Sequence, residues 1–138
     1  MKILKNALIF IVCLCLVVSC VGCGGQDVYD DFDPVGVYVV ETLGENQIET
    51  NIDDEKIAKK MWKTFDNLYI DTEQRGRMGS SYIYMCFYNE DESTLAIFTI
   101  YENGACCLGE DFENFYTVTN GEDAYMEFYE TYTDFVQK

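Results

Sequence analysis

Twenty-five carboxylates, eleven tyrosines and seven cysteines are the side chains through which this 138-residue chain could do chemistry. Histidine is absent, which removes Ser-His-Asp catalysis, Cys-His catalysis and imidazole-ligated zinc. Glycoside hydrolysis needs two facing carboxylates. No spacing singles out a pair, so a carboxylate-dependent surface glycan hydrolase stands only as an alternative. Asp27, Asp30, Asp31 and Asp33 cluster, but a calcium loop of the EF-hand type needs Gly at its sixth position and Glu at its twelfth, and neither fits. No metal or cofactor is expected.

The cysteines inside the body of the chain are Cys86, Cys106 and Cys107. No Cys-x-x-Cys lies among them, so a thiolate metal site is not expected. A five-residue loop over 89–93 sets Cys86 opposite Ala96. A two-residue Asn103-Gly104 turn sets Cys106 opposite Tyr101 and Cys107 opposite Ile100. Cys86 and Cys107 then share a face about 13 Å apart along the strands and about 10 Å across them. A disulfide needs Cα atoms within about 7 Å, so free, buried thiols acting as small apolar groups are expected.

Charge is divided along the chain. The net charge is −16, and phosphate contact needs Lys and Arg, so nucleic acid is an unsuitable partner. Lys56, Lys59, Lys60, Lys63, Arg75 and Arg77 are close together, whereas residues 78–137 hold twelve acids and no base. The four lysines are candidate partner-binding residues. So are Tyr82, Tyr84 and Tyr88, which alternate along one strand and would present an amphipathic aromatic face to a peptide or glycan.

The elements that must position these groups follow from periodicity. Residues 35–43 are rich in Val and Tyr and read as a strand, with 47–50 as its return. Residues 53–68 read as a helix with Asp53 as N-cap and Ile52 and Ile57 as the staple. Ile57, Met61, Thr64, Phe65 and Leu68 fall on one arc and the lysines on the other. Residues 69–81 read as a loop. Residues 81–88, 94–101, 105–108 and 115–118 read as strands, with Asn103-Gly104 as a hairpin turn. Residues 122–136 read as a helix with Tyr125, Phe128, Tyr132 and Phe135 as its buried stripe. An α+β domain over 35–138 is expected, with a mostly antiparallel four- to five-stranded sheet and two helices packed on one face.

The first nineteen residues read as a targeting segment. Lys2 and Lys5 precede an unbroken apolar run over 7–18. That run is shorter than the roughly 20 residues of a membrane span and suits a signal-peptide core. Val17-Val18-Ser19-Cys20 resembles the lipobox of bacterial lipoproteins. The resemblance implies a diacylglyceryl group on the Cys20 thiol and cleavage before it, with Cys23 as the alternative register. Residues 20–34 read as an acidic, Gly- and Asp-rich tether. Two acyl chains make a stable anchor, so attachment to the extracytoplasmic face of a bacterial cell membrane is implied, with membrane lipid as one partner.

Tyr116-x-Val118-x-Asn120-Gly121-Glu122-Asp123-x-Tyr125 leads into the last helix. With the order of elements, it resembles small Gram-positive surface lipoproteins that carry a domain of unknown function. That resemblance implies a fold and a location, and no activity. The expected function is a non-catalytic binding or interaction module of the cell envelope, engaging an envelope protein, peptide or glycan. An accessory or sensory subunit of an envelope complex is a further alternative.

Overall fold

Val37-Tyr38-Val39-Val40 is a run of β-branched and aromatic residues, which fits a pleated, half-buried surface. In the computed structural model, which describes residues 32–93 and 95–138, it lies in strand β1, Gly36–Leu43. Gly44, at φ +61°, opens a two-residue turn into β2, Asn46–Ile52. This is the position at which a type II′ hairpin requires glycine.

Helix α1 follows at Glu55–Asp66. Its N-cap is Asp54, one residue later than expected. Asp54 is extended, and its side chain accepts from the Ile57 N–H at 3.1 Å. The delay has a physical cause: Ile52 is still paired with Val37 in the sheet, which holds the chain extended beyond it. With Asp54 as cap, the N′ and N4 positions pass to Asp53 and Ala58, so the expected Ile52–Ile57 staple is out of register. Ala58, Met61 and Thr64 are the buried residues of α1, with Ile57, Phe65 and Leu68 half-buried beside them.

The segment expected to be a loop contains β3, Ile70–Arg75. Then come β4 at Tyr82–Tyr88, β5 at Leu95–Tyr101, β6 at Ala105–Leu108, β7 at Tyr116–Val118 and helix α2 at Gly121–Val136. The seven strands of the described residues form one antiparallel sheet in the order β2-β1-β4-β5-β6-β7-β3. The sheet is therefore wider than the four or five strands expected. The additions are β2, which runs longer than its sequence signal, and β3, a polar edge strand paired irregularly with β7.

Two hairpins also depart from the expected register. Tyr88 pairs with Leu95, so Cys86 lies opposite Ile97 rather than Ala96. Ile100 pairs with Cys106 and Thr99 with Cys107, so three residues, Glu102-Asn103-Gly104, make the second turn. Only Gly104 among them has positive φ, at +81°. Asn103 uses its side chain instead, accepting from Ala105 N–H at 3.0 Å and donating to the Arg77 carbonyl at 2.9 Å.

Alternation then decides what each face does. Val37, Val39, Ile83, Met85, Phe87, Phe98 and Ile100 are fully or almost fully buried and face the helices. Trp62 of α1 meets Phe87 at a ring separation of 5.2 Å, and Phe65 meets Phe98 at 4.8 Å. Phe128 of α2 meets Phe98 at 6.0 Å. Both helices thus pack on one face, joined by a 2.9 Å hydrogen bond from Thr64 Oγ1 to Glu127. Glu41 also points to this face. Its cross-strand neighbours, Ile48 and Ile83, offer no donor, and burial raises its carboxyl above the ordinary range.

Candidate functional site

Among the described residues, the other face of the sheet carries no helix. Register places Tyr38 of β1, Tyr82, Tyr84, Cys86 and Tyr88 of β4, and Leu95, Ile97, Thr99 and Tyr101 of β5 on this open face. Cys107 of β6 and Glu49 and Asn51 of β2 join them. The expected grouping of Tyr82, Tyr84 and Tyr88 is therefore observed, and all three are half-buried.

Cover is uneven. Over β5 and β6, Tyr101, Ala105 and Cys107 are buried beneath Tyr82 and Phe115. Phe115 meets Tyr101 edge-on at 5.7 Å, and Phe112 lies 6.5 Å from Tyr84. The loop over residues 109–115 thus closes one half of the face. Over β1, β4 and the start of β5, Tyr38, Cys86, Tyr88 and Ile97 are half-buried, and Leu95 is 54% exposed.

The tyrosines of this half are fixed in place. A Cβ at Gly36 would come within 2.6 Å of three atoms of the Tyr88 side chain, its hydroxyl included. The Tyr88 phenol therefore lies across Gly36, its partner in β1, and glycine is what lets the ring lie close to the sheet. Its hydroxyl donates to Asn51 on β2 at 3.1 Å. The Tyr38 hydroxyl donates to Glu49 on β2 at 2.7 Å, a bond that raises its pKa because ionisation would lose it. Two rings thus span from the inner strands to the edge strand. Sequence periodicity found Tyr88 but not Tyr38, Gly36 or Asn51, because those neighbours exist only once the β1–β4 register is set.

Acidic side chains surround this surface. Burial raises the Tyr84 and Cys86 pKa values, and the charge of Glu110 adds to both shifts. Burial likewise raises Tyr88, with Asp53 and Glu92 adding to it against the Asn51 hydrogen bond. Thr99, fully buried on the same face, has a hydroxyl without a hydrogen-bond partner among the described residues.

The lysines lie on the opposite layer. Lys56, Lys59, Lys60 and Lys63 are all exposed on α1, as expected. Lys59 is engaged, bridging Glu55 and, at 3.1 Å, Asp33. Phe32 packs edge-on against Trp62 at 4.7 Å and Pro34 is buried, so residues 32–34 of the expected tether lie against α1. The rest of that tether, the targeting segment and the candidate lipidation residues Cys20 and Cys23 lie outside the described residues.

A cavity of about 330 Å³ opens where the β5–β6 turn meets the start of α2, lined by Asn103, Gly104, Thr117, Asn120, Glu122 and Asp123 among others. Glu122 and Asp123 are exposed neighbours in one helical turn, about 100° apart around the axis. They do not face each other across a cleft as a hydrolase pair would. Cys86, Cys106 and Cys107 are free. Burial pushes Cys106 up to about 12 and Cys107 to about 11, far from the thiolate needed for nucleophilic work at neutral pH. Among the described residues no group of acids and cysteines could hold a metal ion, and no helix is long and apolar enough to cross a membrane.

The described residues thus form an α+β sandwich of one antiparallel sheet and one helical layer, with an aromatic surface on the side of the sheet away from the helices. Comparison of the chain with protein-family models, with curated proteins and with solved structures found no match.

Proposed function

We propose that this chain is a lipid-anchored, extracytoplasmic protein of the bacterial cell envelope whose domain binds a peptide or glycan partner without catalysing a reaction. The observation that carries the binding reading is the uncovered half of the open face. There Tyr38 and Tyr88 are held flat by hydrogen bonds to the edge strand, beside the exposed Leu95. Such rings supply large amphipathic contact area with little rotamer entropy left to lose. The location reading rests on the lipobox-like Val17-Val18-Ser19-Cys20.

Both parts are tested in cells. Palmitate labelling followed by membrane fractionation is expected to mark the wild type, and the mark is expected to disappear in Cys20→Ser. A label that survives Cys20→Ser and disappears in Cys23→Ser moves the anchor by three residues. A protein that is cytosolic, unlabelled and still carries its first residue refutes the location. For the domain, partner crosslinking to the intact protein is expected to fall in Tyr88→Ala and in Gly36→Val, which displaces the ring. Unchanged crosslinking in both variants refutes the binding face.

A further inference from the structure

We infer that the occupant of the open face is a cationic peptide segment, one whose Lys or Arg side chains lie over the tyrosine rings and between the surrounding carboxylates. The inference rests on the binding reading above and adds the chemistry of the partner. Three observations carry it.

First, the surface is aromatic where it is uncovered. Ammonium and guanidinium groups are attracted to the faces of such rings, by about 0.5–1 kcal/mol at exposed sites and more when water is excluded. Second, the charges at its margins are of one sign. Glu49 lies on the face itself, bound to Tyr38, and Glu92, Glu110 and Asp53 act on the tyrosines electrostatically. No open-face position of β1, β2, β4, β5 or β6 holds a Lys or Arg. Third, the lysines of α1 lie on the other side of the sheet, so they do not neutralise the acids around the open face. A neutral glycan could offer hydroxyl donors to the carboxylates but no opposite charge, and an anionic polymer would be repelled.

The surface also suits an extended chain. Strands β2, β1, β4 and β5 span about 14 Å across, and seven residues run about 23 Å along each.

The test uses the full-length lipidated protein in detergent micelles. Three probes are titrated by calorimetry at low and physiological salt: a ten-residue Lys/Gly/Ser peptide, the same peptide with Glu for Lys, and a neutral β-linked N-acetylglucosamine oligomer. The Lys peptide is expected to bind, the Glu peptide not to bind, and the affinity to fall with salt. Combined Glu49→Gln, Glu92→Gln and Glu110→Gln is expected to weaken the Lys peptide on the order of tenfold, and Tyr88→Ala to do the same. Combined Glu130→Gln and Asp134→Asn, on the far end of α2, is expected to leave it unchanged.

If the oligosaccharide binds in a Tyr88-dependent way and the Lys peptide does not, the cationic inference fails and the binding face stands. If the Lys peptide binds with equal loss from either acid set and none from Tyr88→Ala, binding is diffuse and both readings fail. If none of the probes binds, the inference fails.

Discussion

Gly121 is the first residue of α2, where helix propensity and packing make opposite demands. Replacing it with Ala should stabilise a helix by about 1 kcal/mol, because glycine carries the greater backbone entropy cost. In this fold an added Cβ would lie 2.5 Å from Gly104 Cα and 2.5 Å from the Gly104 carbonyl oxygen. Both obstacles are backbone, and Gly104 is held in its turn by its N–H bond to Tyr101 and its carbonyl bond from Val118 N–H. Reaching ordinary contact needs the start of α2 to retreat by roughly 1 Å, and overpacking of this kind costs about 1–3 kcal/mol. Set against the gain in propensity, a net destabilisation of up to about 2 kcal/mol follows, a fall of up to roughly 10 °C in Tm for a domain of this size. Thermal unfolding by circular dichroism measures it, with Glu130→Ala at an exposed position of the same helix as control, expected within about 0.5 kcal/mol of wild type. A Gly121→Ala variant that melts higher than wild type would show that the helix does not approach the turn this closely.

Three further outcomes are expected. Glu41 is an acid whose folded pKa is raised by burial, so the folded state binds more protons than the unfolded state between the two pKa values, and stability falls as pH rises through that window. Glu41→Gln should therefore be more stable than wild type by about 1 kcal/mol at pH 7, with the difference gone below pH about 4; urea titration at both values checks it, and an unchanged difference refutes the burial argument. Asp54→Ala removes the α1 cap and should cost about 1 kcal/mol, read as a lower urea midpoint at unchanged slope. Iodoacetamide at pH 8 should modify Cys86 in the native protein and spare Cys106 and Cys107, whose thiols lie at about 12 and 11. In denaturant without reductant all three should react, and protection of any one there would mean a disulfide.

Periodicity was sufficient where an element is buried on one side. The alternation of Tyr82, Tyr84 and Tyr88 against Ile83, Met85 and Phe87 follows from the chain alone, as does the α2 stripe through Tyr125, Phe128 and Tyr132, although Phe135 at its end is only half-buried. It was insufficient where pairing is remote. Ile70–Arg75 has the composition of a loop, and becomes a strand because Val118 and Thr117 pair with Ile70 and Asp71. The second turn reads as a two-residue Asn-Gly hairpin. Asn103 instead spends its side chain on Ala105 and Arg77, which keeps its backbone out of positive φ and adds a residue to the turn. On the open face the tyrosines of β4 were legible, but Tyr38, Gly36 and Glu49 were not, since they join it through a β1–β4 register spanning 40 to 52 residues. The engagement of Lys59 by Asp33 is likewise a contact between segments that no local pattern announces.

The position of β1 also sets the order in which the molecule can be assembled. It lies inside the sheet, with β2 on one side and β4 on the other. A nascent chain emerging from its amino end can form the first hairpin at once, yet the inner edge of Val37–Val40 has nothing to bond until Tyr82–Tyr88 has appeared. Pairings so distant belong to domains that fold in milliseconds to seconds, and an apolar strand with a bare edge is a hazard for aggregation during that wait. Asp27, Asp30, Asp31 and Asp33 immediately precede it in the chain. Charges of one sign beside an apolar strand oppose its pairing with the same strand of a second copy, in an unfinished chain as in a finished one.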